Sequence, residues 1–268
     1  MKAITIVTVC YNEEKNIART IESVLMQTAM NFEYIICDGL SQDHTVAIAE
    51  SYREAFSQKG ISYRIFSEKD CGIYDAMNKG IDKAEGSYIW FLNAGDWLCA
   101  ADVLEKFVSS IEKDTAPAVY YADFYIVEDH LQKRRICNAD NMKRSMSVGH
   151  PSMVARMDFM RARKFDTAYR LAADYNFVLG LVMDGLEFRK LDFPASCFMV
   201  GGISSTNKEL EEEEVSRIHK HYGLPHEPAF FQKIPLVRRI INKLIKLAPK
   251  SVWKFWCVKI KRRPWVEY

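Results

Sequence analysis

An apolar run from Tyr88 to Leu92 leads directly into the polar turn Asn93-Ala94-Gly95-Asp96. Such a run predicts a buried strand, and ligands of α/β proteins bind at the carboxyl ends of strands. A single carboxylate at this position suits a hard cation that is otherwise held by water and phosphate oxygens. The segment therefore indicates metal-assisted chemistry on a nucleotide-linked substrate, with Asp96 as the metal ligand.

Two further segments place polar groups just after predicted strands. Thr8–Glu13 passes from a strand into a helix, where free backbone amides can bind phosphate and Tyr11 can stack on a base. Asp38 follows the strand-like run Phe32–Cys37, and its carboxylate could accept hydrogen bonds from a nucleobase or a ribose hydroxyl. Each segment has a structural alternative, because Asn12 would cap the first helix and Asp38 would stabilise a turn.

A fourth segment, Ser67–Ile81, combines acidic and basic side chains on one helix. Asp75, Asn78 and Lys79 stand at positions i, i+3 and i+4 and share one face, which could hold a sugar or a diphosphate. The same spacing fits a solvated face on which Asp75 and Lys79 form an intrahelical ion pair. The chain contains no Gly-x-x-x-x-Gly-Lys phosphate loop and no Gly-x-Gly-x-x-Gly dinucleotide motif.

A sheet is needed to bring these strand ends together. The first hundred residues alternate between strand-like apolar runs and helical apolar stripes, which predicts an α/β fold with a parallel sheet and right-handed crossovers. The second half is more mixed, with helices near 101–112 and 171–183 and an acidic helix that includes 209–214. The predicted strands are Ala3–Cys10, Phe32–Cys37, Ser62–Phe66, Ser87–Leu92, Ala118–Val127, Gln132–Cys137 and Ala195–Val200.

Length and composition fit one large domain, or one domain with an appendage. The seven cysteines are odd in number, scattered and free of any Cys-x-x-Cys pair, which predicts a reducing compartment without disulfides or a zinc site. The N-terminus begins with a strand-like run, so we expect no signal peptide. The sequence contains no apolar stretch of about 18 residues, so no membrane-spanning helix is predicted.

The charge of the chain changes sign near residue 232. The stretch from Gln232 to the end holds eleven Lys and Arg residues and one acidic residue, whereas the preceding part holds 26 basic and 34 acidic residues. Residues 234–248 combine an apolar stripe with a basic face, and Trp253 and Trp256 follow, as in helices that lie on anionic membranes. We predict a body of residues 1–231 and a membrane-associating amphipathic tail of residues 232–268. Packing of this tail on the body is the alternative, and no nucleic-acid-binding motif is present.

The order and spacing of these segments resemble glycosyltransferase family 2, whose members are inverting enzymes with a GT-A fold. The resemblance rests on Thr8–Glu13, Gln27-Thr28, Asp38–Thr45, Asp70–Gly80 and Phe91–Asp96. It is strong over residues 3–98, weaker to about residue 205, and closest to bacterial surface-polysaccharide transferases. It implies a Rossmann-like, mostly parallel sheet flanked by helices, with a nucleotide-sugar-binding half (1–98) and an acceptor-binding half (99–231).

The resemblance also implies roles for individual residues. The residues that it places in the nucleotide-sugar pocket are Tyr11, Glu13, Asp38, Asp70, Lys79 and Asn93. Asp96 falls on the last acid of the family's metal-binding turn, which implies Mn²⁺ or Mg²⁺ on the donor diphosphate. Because Gly39, Asn93 and Gly95 stand where many members have Asp, Asp96 is expected to be the one direct carboxylate ligand. Metal binding without nucleotide should then be weak.

Inverting transfer needs a base that removes the proton of the attacking acceptor hydroxyl. The family match assigns this role to Asp174, which shares a helical stripe with Phe177 and Val178 and is expected to be partly buried. Apolar surroundings strengthen a carboxylate as a base, and a helix-surface Asp would lack them. His150 and Ser204 occupy positions that related chains use on the acceptor side, although either could be structural.

The sequence thus predicts a peripheral enzyme at the cytoplasmic face of the cell membrane. It would move a sugar from a nucleoside diphosphate donor, UDP being the commonest in the family, to a glycan or polyprenyl-linked acceptor. A nucleotidyltransferase of related fold is one alternative, but it should carry a Gly-rich basic loop after the first strand. A non-catalytic binding module is another, compatible with the single acid of the turn. Three histidines expected on the surface, rather than at a metal, are His219, His221 and His226.

Overall fold

The computed structural model describes residues 2–113, 116–128, 131–201, 207–226 and 266–267, which form one sheet covered by helices on both faces. The strands are β1 (Ile4–Cys10), β2 (Phe32–Asp38), β3 (Ser62–Ser67), β4 (Tyr88–Phe91), β5 (Trp97–Leu98), β6 (Val119–Glu128), β7 (Leu131–Arg135), β8 (Met153–Arg156), β9 (Phe188–Met199) and β10 (Val266–Glu267). The helices are α1 (Ile17–Leu25), α2 (Thr45–Ser51), α3 (Arg53–Gln58), α4 (Ile73–Lys83), α5 (Val103–Lys113), α6 (Met157–Arg163), α7 (Ala173–Met183) and α8 (Lys208–His221). Short 3-10 turns span Ala139–Asn141 and His150–Ser152.

The first four strands form the parallel part of the sheet, in the spatial order β3-β2-β1-β4. Cys10 at the end of β1 is paired with Asp38 of β2, which is in turn paired with Ser67 of β3. Because parallel strands in this register end together, the residues that follow β1 to β4 meet at one edge of the sheet. We call this edge the carboxyl edge. The parallel α/β arrangement predicted for the first hundred residues is confirmed.

Beyond β4 the sheet continues with the antiparallel strands β8, β6, β7 and β10, while β9 runs parallel to β6. Strand β9 begins at Phe188, before the predicted run 195–200, and it also pairs with the short strand β5. This second pairing returns the chain from the mixed half of the sheet to the carboxyl edge.

Two apolar cores lie on the opposite faces of the sheet. Strand β1 is buried at every position and alternates between them, since Ile4 and Ile6 enter one core and Val7 and Val9 enter the other. Helices α1, α2, α3 and α5 cover the first face, and α4, α6, α7 and α8 cover the second. Full burial of each such aliphatic side chain contributes roughly 1.5–3 kcal/mol.

Helix α1 begins at Ile17, with Asn16 at its N-cap position, so the prediction that Asn12 caps this helix is wrong. Asn12 adopts a left-handed φ of 54°, which Asn tolerates better than most residues. Its Oδ1 accepts a hydrogen bond from the backbone amide of Gln42 at 2.8 Å. The side chain ties the β1–α1 turn to the β2–α2 turn instead of capping the helix.

The predicted amphipathic tail, residues 232–268, lies outside the described residues apart from strand β10 at its end, which pairs with β7. Within the described parts of the chain, no helix combines the length and the apolar character required to cross a bilayer.

Candidate functional site

Asp96 lies at the carboxyl edge in a turn that is fixed by backbone and side-chain hydrogen bonds. The hydroxyl of Thr20 donates to the carbonyl oxygen of Asp96 at 2.7 Å and accepts from the amide of Gly95 at 3.0 Å. The carboxylate is 4% exposed, and its Oδ1 accepts from the amide of Met199 in β9 at 3.0 Å. Burial raises the pKa of Asp96 to about 7, although His150 and the Met199 amide oppose the shift.

Asn93, in the same turn, contacts His150 from the loop that precedes β8. Asn93 Nδ2 lies 3.1 Å from His150 Nε2, which fits a neutral ring with its hydrogen on Nδ1. In this arrangement Asn93 Oδ1 is buried and has no hydrogen-bond partner among the described residues. A partnerless amide oxygen in the same turn as a desolvated carboxylate fits a hard, oxygen-preferring cation or a sugar hydroxyl.

Asp174, in the first turn of α7, is 4% exposed and lies on the other side of His150. His150 Nδ1 donates to Asp174 Oδ2 at 3.0 Å. Burial alone would lower the pKa of His150, but this hydrogen bond and the charges of Asp174 and Asp96 raise it above its usual value, so the neutral ring of this arrangement is the form present above that raised pKa. The predicted base and the predicted metal turn are therefore two ends of one hydrogen-bonded chain, Asn93–His150–Asp174.

The other oxygen of Asp174 is held by two donors. Its Oδ1 accepts from the phenol of Tyr74 at 2.8 Å and from the amide of Tyr175 at 2.9 Å. A carboxylate has about four acceptor positions, and the three recorded bonds leave one of them, on Oδ2. Asp174 is thus oriented and retains a lone pair with which to accept a proton.

Tyr11, Gly39 and Asp70 come together at the carboxyl edge. A side-chain carbon added at Gly39 would lie 2.5 Å from Asp70 Oδ2 and 3.4 Å from the ring of Tyr11. Glycine at this position therefore lets Asp70 lie against the turn in the observed conformation. The ring of Tyr11 is 59% exposed, so it offers a free surface on which a planar base could stack.

Asp38 is buried, and its carboxylate is already hydrogen-bonded by the loop around it. Oδ2 accepts from the amide of Ser41 at 3.0 Å and from the hydroxyl of Ser67 at 2.6 Å, while the hydroxyl of Ser41 donates to Oδ1. These contacts show the turn role that the sequence left open. They also set the shape of the loop that carries Gly39.

The backbone amides of the β1–α1 turn do not face an open site, contrary to the expectation that they bind phosphate. The amide of Asn12 donates to the hydroxyl of Ser41 at 2.8 Å, and that of Glu13 donates to Thr45 Oγ1 at 2.7 Å. The amide of Glu14 donates to Asp43 Oδ2 at 3.0 Å. This turn therefore contributes the ring of Tyr11 rather than amides for phosphate.

Lys79 and Glu13, both predicted in the nucleotide-sugar pocket, make local contacts. Lys79 pairs with Asp75 at 3.5 Å and donates to the carbonyl oxygen of Lys69, which is the intrahelical pair that the spacing also allowed. Glu13 Oε2 accepts from the side-chain amide of Asn16 at 2.7 Å. Nucleotide contacts by either residue remain predictions.

Two residues at the site were missed by the sequence reasoning. Tyr74 belongs to the Asp70–Gly80 motif, but nothing in its spacing pointed to Asp174, 100 residues away. Glu214 is one of four consecutive glutamates, and α8 directs it inward, where it is 2% exposed. Its carboxylate accepts from the amides of Arg170, Leu171 and Ala172 at 2.7 to 3.0 Å. It thereby fixes the loop that leads into α7 and Asp174.

His219 was expected on the surface, but it is buried in contact with α7. Its Nε2 lies 2.7 Å from the hydroxyl of Tyr175, and its Nδ1 lies 3.2 Å from Nδ1 of His226. The surface expectation is therefore wrong for His219. Ser204 lies outside the described residues. In the part of the chain that the structure describes, no group of three or more His, Cys, Asp or Glu side chains could hold a metal by itself.

Several solved structures share this fold. The S. aureus TarS fragment 1-349 in complex with UDP-GlcNAc superposes with a TM-score of 0.66 at 17% identity, covering 94% of this chain and 83% of that chain. The mannosyltransferase PcManGT from Pyrobaculum calidifontis, in complex with GDP-Man and Mn²⁺, has a TM-score of 0.64 at 15% identity, covering 86% and 67%. These likenesses establish the fold.

Sequence comparison gives the family. A "PGL/p-HBAD biosynthesis glycosyltransferase" of Mycobacterium bovis is 28% identical over 158 residues, 59% of this chain and 60% of that protein's length. The uncharacterized glycosyltransferase EpsJ of Bacillus subtilis is 24% identical over 249 residues, 82% of this chain and 71% of that protein. The model of "Glycosyl transferase family 2" matches residues 5–171, well over half of the 268 residues. The chain therefore belongs to glycosyltransferase family 2.

Proposed function

We propose that the protein transfers a sugar, with inversion, from a nucleoside diphosphate donor to a hydroxyl of a glycan or polyprenyl-linked acceptor in the synthesis of a bacterial surface polysaccharide. A UDP-sugar is the first donor to test, and GDP-sugars follow because PcManGT is bound to GDP-Man. The observation that carries the proposal is the chain Asn93–His150–Asp174, which joins the metal turn to the base. A site for displacement at the anomeric carbon needs both groups within reach of one substrate.

The proposed reaction is a single displacement. The acceptor oxygen forms a bond to the anomeric carbon as the bond from that carbon to the diphosphate oxygen breaks, and the nucleoside diphosphate leaves with the electron pair. Asp174 Oδ2 takes the hydroxyl proton, while Tyr74, the Tyr175 amide and His150 hold the carboxylate in place. Exclusion of water from this buried carboxylate favours transfer over hydrolysis.

The family implies a divalent cation, and the residues present fit one. Asp96 and the partnerless Oδ1 of Asn93 would hold Mg²⁺ or Mn²⁺, with the remaining positions filled by water and donor phosphates. Such an ion supplies positive charge that stabilises the leaving diphosphate. The turn itself, fixed by Thr20 and Met199, keeps the two protein oxygens in position.

The activity is tested by incubating the protein with UDP-, GDP- and dTDP-sugars in the presence of Mn²⁺ and measuring release of the nucleoside diphosphate. We expect release from one donor class, together with donor binding that requires the metal. Release of pyrophosphate from a nucleoside triphosphate and sugar phosphate would instead identify a nucleotidyltransferase. If no donor is turned over or bound, the transferase proposal is contradicted.

We further propose that the tail 232–268 holds the enzyme on the cytoplasmic face of the cell membrane. Its eleven basic residues would each contribute about 1 kcal/mol near anionic lipid. We expect the full chain to cosediment with phosphatidylglycerol vesicles and less with phosphatidylcholine vesicles, and a chain ending at residue 231 to stay in solution. Circular dichroism and donor binding verify that the shortened chain is folded. Its continued binding to anionic vesicles would contradict a membrane role for the tail.

A further inference from the structure

A cavity of about 320 Å³ is lined in part by Tyr74, whose phenol contacts Asp174. Three segments form its walls: the start of α4, the loop before α7, and the start of α8. The lining residues used below are Cys71, Tyr74, Asp75, Tyr169, Arg170 and Asn207. This volume is at the lower end of small-molecule sites, so the cavity could take one sugar residue rather than a long chain.

The walls of the cavity are rigidly held. Glu214 binds the amides of Arg170 and Leu171, and the one phenol hydrogen of Tyr74 is shared between Asp174 and the carbonyl oxygen of Leu171, which lies 2.9 Å from the phenol oxygen. Asp75 Oδ2 accepts from the amide of Cys71 at 2.9 Å. A ligand would therefore meet a preformed site and would not have to order these loops.

Two charged residues line the cavity, Asp75 and Arg170. Asp75 is compensated by Lys79, whereas the exposed guanidinium of Arg170 has no ion-pair or hydrogen-bond partner within the described residues. A second guanidinium, that of Arg217, lies 4.9 Å from the ring of Tyr169. A free guanidinium at such a site suits a carboxylate or a phosphate, each of which it can bind with two hydrogen bonds.

We propose that this cavity is an acceptor subsite for a sugar residue that carries an anionic group, a carboxylate or a phosphate, recognised by Arg170. The proposal rests on the transferase function, since Tyr74 is both a wall of the cavity and a hydrogen-bond donor to Asp174. Binding of the anionic residue in the cavity would direct a hydroxyl of the acceptor towards the base. Acidic acceptors would then be used in preference to neutral ones.

Cys71 provides a reporter that does not depend on activity, because it is exposed and lines the cavity. We would measure its rate of modification by a thiol reagent, with Cys71→Ser to subtract the reaction of other cysteines. Glucose, glucuronate, glucose 6-phosphate and inorganic phosphate serve as protecting probes. We expect glucuronate or glucose 6-phosphate to protect Cys71 at roughly tenfold lower concentration than glucose. The two arms show whether carboxylate or phosphate is preferred.

Arg170→Ala should abolish this difference, Arg170→Lys should restore part of it, and Arg144→Ala, an exposed arginine outside the cavity, should leave it unchanged. Equal protection by glucose and the anionic sugars, or preference that survives in Arg170→Ala, would overturn the proposal. Once a donor is known, transfer to glucuronides in preference to neutral glycosides should show the same dependence on Arg170. Protection that depends on Arg170, but without turnover of any donor, would contradict the transferase function and leave the anionic-sugar site supported.

Discussion

Replacement of Asp174 by Asn is expected to lower the rate of sugar transfer by roughly 10²- to 10⁴-fold, the usual contribution of a general base. The amide keeps the size of the carboxylate and can still accept from Tyr74 and the Tyr175 amide through one oxygen. It cannot take a proton from the acceptor hydroxyl. Steady-state kinetics should therefore show a loss of kcat, whereas calorimetry should show that the affinity for the donor is retained.

The matched control for this variant is Asp192→Asn, since the side chain of Asp192 is fully exposed. It makes the same chemical change far from the base and should leave transfer unaltered. Normal turnover by Asp174→Asn would show that another group removes the proton. If Asp174→Asn lost both donor binding and turnover, the change would have disturbed the hydrogen-bonded chain through His150 rather than the chemical step alone.

Replacement of Asp96 by Asn is expected to weaken donor binding in the presence of Mn²⁺ by on the order of 10- to 100-fold. The variant loses the one carboxylate of the turn, while an amide oxygen can still accept from the Met199 amide and preserve the fold. Without metal, in the presence of a chelator, the variant and the native protein should bind the donor equally weakly. Titration calorimetry with and without Mn²⁺ measures this difference.

Asp102→Asn is a suitable control for the Asp96 variant, because the carboxylate of Asp102 is half exposed and pairs with Lys106 on α5. It should leave metal-dependent binding intact. An Asp96→Asn protein that binds donor as tightly as the native chain in Mn²⁺ would contradict the assignment of Asp96 as a ligand. A donor affinity of the native protein that is insensitive to the chelator would contradict the metal requirement itself.

The parallel half of the fold was predictable because its signals are local. Burial on both faces makes β1 and β2 continuous apolar runs, and the helices between the strands show clear apolar stripes. The positions of Asp38, Asp70 and Asp96 then follow from the rule that parallel strands end at one edge. Asp174 was predicted to be partly buried because it shares a helical stripe with Phe177 and Val178, and it is buried in the structure.

The parts that could not be predicted depend on contacts between distant segments. Asn12 is a residue type that commonly caps helices. Its side chain instead accepts a hydrogen bond from the loop after β2, and α1 begins at Ile17. Tyr74 meets Asp174 only because α4 and α7 lie on the same face of the sheet. The local sequence does not distinguish Glu214 from the neighbouring glutamates. They differ only in the side of α8 on which each one lies.

The position of Glu214 limits where chimeras between related enzymes can be joined. Helix α8 lies beyond residue 171, where the family match ends. The carboxylate of its Glu214 nevertheless accepts hydrogen bonds from three amides of the loop that leads to Asp174, the proposed base. A chimera that joined residues 5–171 to a foreign C-terminal segment would keep the amides of Arg170 and Leu171 but lose their acceptor. The smallest unit that could be exchanged with the proposed base in place therefore extends at least to His221, where α8 ends, so Asp174 and α8 must be transplanted together.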